Sequence, residues 1–101
     1  MEFTIHRKLD IIVVNLFGRL EFTDHDKIHQ IVRLLDTNDL TCLAVELSNL
    51  DFIDSIGLGM LLYIREEAEK RSISIILRGA RGEIRSLFEL TKLEEIISRV
   101  Y

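Results

Sequence analysis

Ser55 lies between two carboxylates, Asp51 and Asp54, and two glycines, Gly57 and Gly59, in the stretch Asp51-Phe-Ile-Asp-Ser-Ile-Gly-Leu-Gly-Met-Leu-Leu62. A serine hydroxyl in such a place can cap a helix, accept a phosphoryl group, or act as a nucleophile. The apolar run from Cys42 to Leu47 reads as a strand, and the pattern from Ile56 to Arg71 reads as a helix. A strand-to-helix junction therefore falls near Asp54 and Ser55, with Ser55 predicted at the N-cap, where its oxygen accepts a first-turn N–H. Free N–H groups and the positive dipole end at a helix start also accommodate an anion. A phosphate there adds roughly −1.5 to −2 charges. Each glycine inside a helix costs about 1 kcal/mol, so Gly57 and Gly59 give up local stability. They let either a partner surface or the chain's own sheet come close.

The other constellations are thinner. A serine hydrolase wants Gly-x-Ser-x-Gly, but Ile53 stands two residues before Ser55. His6, His25 and His29 are available bases, yet no spacing ties one of them to Ser55. His25 and His29, four apart, either share a metal or form an exposed helical pair; with no third ligand evident, the pair reads as exposed. Asp51 or Asp54 after a central strand resembles a receiver phosphoacceptor. An opening hairpin and the lack of an acidic pair after the first strand argue against that. No Gly-x-x-x-x-Gly-Lys is present, so no nucleotide site is read, no cofactor or metal is expected, and the protein is read as a non-enzyme.

The 101 residues suffice for one domain, residues 1–101, and 48% hydrophobic with 30% charged residues is an ordinary globular composition. A net charge of −4 and no basic stripe argue against nucleic acid as a partner. Cys42 is the sole cysteine, is expected to be a buried thiol, and suits a reducing, cytoplasmic setting. No signal peptide is visible and no run approaches the ~20 apolar residues of a membrane span, so no direct membrane contact is expected.

The elements that must position Ser55 follow from periodicity. Phe3 to Leu9 and Ile11 to Leu16, joined across Lys8 to Asp10, predict an antiparallel hairpin whose second strand ends at Gly18. Thr23 with Asp26 matches a capping box, and Ile28, Ile31, Val32 and Leu35 predict an amphipathic helix ending near Asp36 to Asp39. Cys42 to Leu47 lacks alternation, as a central strand covered on both faces would. Glu66 with Lys70 and Glu67 with Arg71 are expected pairs on the helix that follows. Ile73 to Leu77 is a further strand, completing a βαβ unit. Ile84, Leu87 and Phe88 mark a last clear helix, read as core, and Leu93, Ile96 and Ile97 a shorter apolar turn.

This order of elements, Gly18-Arg-Leu-Glu21 after the second strand, Asp54-Ser55-Ile-Gly57-Leu-Gly59 and Leu90-Thr91-Lys-Leu93 together resemble a STAS domain, in particular the bacterial anti-sigma factor antagonists. The resemblance implies an α/β single domain with a mixed sheet, N-terminal hairpin plus parallel βαβ strands, and helices mainly on one face. It implies that a partner serving as both serine kinase and anti-sigma factor phosphorylates Ser55, and that a metal-dependent PP2C-type phosphatase removes the phosphate. The unmodified form would bind the kinase and the phosphorylated form would not. The partner-binding surface it implies comprises Glu21, Asp24, Asp54, Ser55, Ile56, Gly57, Leu58 and Gly59, with Asp54 orienting the acceptor and the glycines admitting the partner.

Ile56 stands where the family often has a small or hydroxylated residue, and Glu21 where aspartate is common. The chain ends soon after Val100, where many relatives continue into another helix, so an altered C-terminal face is expected. A different class of function is also compatible with the fold, a constitutive STAS subunit of a membrane transport complex. So is a STAS switch with a target other than a sigma factor.

Overall fold

The computed structural model describes residues 1–90. The predicted turn at Leu93, Ile96 and Ile97, and Thr91-Lys-Leu93, lie outside the described residues. β1 (Glu2–Lys8) and β2 (Ile11–Leu20) form the expected antiparallel hairpin. A 3-10 turn (Phe22–Asp24) leads into α1 (His25–Leu34). β3 (Cys42–Glu46), β4 (Leu50–Ile53), α2 (Ser55–Lys70), β5 (Ser74–Arg78) and α3 (Gly82–Leu90) follow. The strand order is β1-β2-β3-β5, with β3 parallel to both β2 and β5. The result is a small α/β domain with a mixed sheet.

Cross-strand register explains which face carries the core. Ile12 pairs with Leu43 and Leu43 with Ile75; Val14 pairs with Val45 and Val45 with Leu77. All of these are buried in one cluster with Ile28 and Ile31 of α1, Leu61 and Ile64 of α2, and Ile84 and Phe88 of α3. The opposite face carries Val13, Ala44 and Ile76 in one row, and only Ala44 is fully buried. The missing alternation of β3 therefore does not mean cover on both faces. A small alanine is shielded by its two larger in-plane neighbours, and the flanking Cys42 and Glu46 stay half-buried. The Cys42 thiol is half-buried too, where it was expected to be buried, and burial with the nearby Asp10 charge pushes its pKa up. It is held as a thiol, the unreactive form.

Three other expectations are corrected. Gly18 does not end β2: it adopts φ +83°, a conformation suited to glycine, and the ladder shifts register between Gly18 and Arg19. β2 leaves β3 after Asn15 and pairs in parallel with β4, Gly18 opposite Leu50 and, past the irregularity, Arg19 opposite Phe52 and Leu20 opposite Ile53. β4 was not anticipated, because only four residues, one of them Asp51, separate a turn from a helix start. Thr23 and Asp26 form no capping box; instead the Glu21 N–H donates to Asp24 Oδ2 at 2.8 Å. On α2, Arg71 meets Glu67 as expected, at 3.2 Å, but Lys70 pairs with Glu67 at 2.8 Å and not with Glu66.

Candidate functional site

β2 and β4 run parallel and finish together at Leu20 and Ile53, so α1 and α2 start from the same end of the sheet. Ser55 stands there, exposed. It is not the N-cap. Asp54 is, with extended backbone (φ −100°, ψ −179°), and its Oδ1 accepts the Gly57 N–H at 2.7 Å. Both residue types cap well, and the earlier one takes the role. Ser55 is thus the first helical residue, with its hydroxyl making no cap bond and pointing to no partner among the described residues. The cap bond predicts that Asp54→Ala lowers stability by about 1 kcal/mol while Asp54→Asn retains most of it, as thermal melting would show.

The two glycines differ. A Cβ on Gly57 would lie 2.5 Å from the Leu20 carbonyl oxygen and 2.9 Å from Ile53 Cγ1. Gly57 is buried and serves the packing of α2 onto the ends of β2 and β4, not an open surface. A Cβ on Gly59 would meet nothing within 4 Å. Gly59 is exposed and lies in a groove of about 380 Å³ between α1 and α2, lined also by His25, Ile28, His29, Ile56, Met60 and Tyr63.

The groove begins one residue past Ser55. Ile56 is 49% exposed, and Phe22 nearby on the chain's path into α1 is 60% exposed. Its rim is a row of rings: Phe22 to His25 at 5.7 Å between centroids, His25 to His29 at 5.6 Å, and His29 to Tyr63 at 5.9 Å. Sequence reasoning did not find this groove, although His25 and His29 at helical spacing and the glycine at position 59 are its visible traces. The two histidines are an exposed pair, and no cluster of three or more metal-ligating side chains occurs among the described residues.

The remaining expected contact residues divide into surface and interior. Glu21 is half-buried and holds Arg19 Nε at 2.7 Å, while the Arg19 guanidinium stacks 3.9 Å above the Phe52 ring. Asp24 is buried and cannot present its carboxylate to a partner: Oδ1 accepts the Met1 amino group at 3.0 Å and Oδ2 the Glu21 N–H. Leu58 is 8% exposed and belongs to the core. The exposed site is therefore Ser55, Ile56 and Gly59, with Asp54 and Glu21 beside it. No described helix is long and apolar enough to cross a membrane.

Comparison with known proteins finds relatives in sequence and in fold. The chain is 24% identical over 91 residues to the anti-sigma-B factor antagonist of Listeria monocytogenes, covering 90% of this chain and 80% of the relative. The structure is similar to that of the Bacillus cell fate determinant SpoIIAA in its phosphorylated form, with TM-score 0.74, 22% identity, and 99% and 92% of the two chains covered. It is also similar to a sulfate transporter family protein from Wolinella succinogenes, with TM-score 0.78, 18% identity, and 92% and 77% covered. Both likenesses show the shared fold. The STAS domain family model matches residues 2–101, and the chain belongs to the STAS domain family.

Proposed function

We propose that this protein is an anti-sigma factor antagonist-like switch that acts by binding and catalyses nothing itself. In its unphosphorylated form it binds a serine kinase that is also an anti-sigma factor, and phosphorylation of Ser55 releases it. A PP2C-type phosphatase resets the switch, in the cytoplasm. The observation that carries this reading is the position of Ser55: exposed, free of the capping bond, and next to an open apolar groove. A phosphate on the first helical residue is favoured by the helix dipole, so the fold tolerates it. Since Asp54 already occupies the cap, the added charge stands at the rim of the groove beside another carboxylate. A docked apolar partner would have to desolvate that charge, and a few kcal/mol suffice to abolish binding. The likeness to anti-sigma-B factor antagonists supports the choice of partner.

The test is titration of the kinase with two variants. Ser55→Ala should bind as tightly as the unmodified protein, and Ser55→Asp at least about tenfold more weakly, with both melting like the wild type. Equal affinity for the two would remove the switch and favour a constitutive subunit.

A further inference from the structure

β1 is the outer strand of the sheet, six of its seven residues are exposed, and among the described residues it pairs with β2 alone. An open edge of this length is a template for another strand unless charge or shape blunts it. The strand carries a carboxylate at one end and an ammonium at the other, Glu2 and Lys8. Laid antiparallel and centred on Ile5, the sequence Glu2-Phe-Thr-Ile-His-Arg-Lys8 places Glu2 opposite Lys8, Phe3 opposite Arg7, Thr4 opposite His6, and Ile5 opposite Ile5. We propose that two copies of this chain associate edge to edge through β1 in this register, extending the sheet across a two-fold axis.

The faces agree with the register. Phe3, Ile5 and Arg7 pair with Leu16, Val14 and Ile12, so they lie on the helix-covered side. Ile5 is 48% exposed at the margin of the core, and its symmetry mate would cover it. Thr4, His6 and Lys8 lie on the open side. Glu2, at the strand's end, has its carboxylate on Lys27 of α1, so the Glu2–Lys8 pair, formed twice per dimer, requires the Glu2 side chain to swing from Lys27 to Lys8 of the second copy. A shift of two residues either way loses both Glu2–Lys8 contacts, and a parallel pairing in register sets like charges opposite one another. The Glu2 contact to Lys27 Nζ, at 2.8 Å, is an exposed pair with little hold on the side chain.

The experiment is sedimentation equilibrium on the full chain and on Glu2→Lys and Lys8→Glu. Both positions are exposed, so each variant should melt close to the wild type. The wild type should show a reversible monomer–dimer equilibrium, and each variant alone should dimerise about tenfold more weakly or less, because both copies of the pair become repulsive. An equimolar mixture of the two variants should recover wild-type association, since every contact then joins a glutamate to a lysine. A wild type that stays monomeric up to about 1 mM would overturn the proposal. So would variants that dimerise undiminished, or a mixture that associates no better than its components.

Discussion

Gly57→Ala should cost about 2 to 3 kcal/mol and lower the melting temperature by roughly 10 to 20 °C. The added carbon would sit 2.5 Å from a backbone oxygen, that of Leu20, and 2.9 Å from Ile53 Cγ1. Neither neighbour can step aside. Leu20 and Ile53 pair across β2 and β4 and are both buried, so relief requires α2 to lift from the sheet ends. Larger side chains at this position should prevent folding. Melting within a few degrees of the wild type would mean that α2 is not seated against β2 and β4 as described.

Gly59→Leu should do the reverse. Its Cβ meets open space and leucine favours the helix by up to about 1 kcal/mol over glycine, so the melting temperature should stay level or rise. The side chain would project into the groove shared by Ile56, Met60 and Tyr63. If the groove receives an apolar anchor of the kinase, filling it should weaken binding about a hundredfold, the scale of a blocked hot spot. Titration of the kinase with Gly59→Leu and Gly59→Ala measures this, alanine leaving most of the groove open. Full affinity in Gly59→Leu would remove the groove from the docking surface, whatever the role of Ser55.

These two glycines show how far the fold is legible in the sequence. They stand two residues apart in one motif, and the pattern offers partner access for both, with close packing on the sheet as a further explanation. Helical geometry separates them, turning Gly57 onto Leu20 and Gly59 toward α1. The hairpin, α1, α2 and β5 were readable because each has several apolar residues at one period. β4 was not, since four residues carry too little periodicity and its partner becomes available only because β2 continues past Gly18.

The helix start was placed within one residue, but two good capping types in succession left the role of Ser55 undecided by sequence. That single position matters, because a capping hydroxyl is engaged whereas a first-turn hydroxyl is free. Asp24 looked like a surface carboxylate by type and by resemblance. Of the bonds that hold it, the one from the Glu21 N–H is local, three residues back, but the one from the Met1 amino group joins segments 23 residues apart whose meeting no local pattern announces.

Peptide mass spectrometry of the protein from its native cells, with and without phosphatase treatment, shows whether Ser55 carries a reversible phosphate. A phosphate confined to Ser55 and removed by the treatment is the expected result. Unmodified Ser55 under every growth condition, or a phosphate on a different residue, would contradict it.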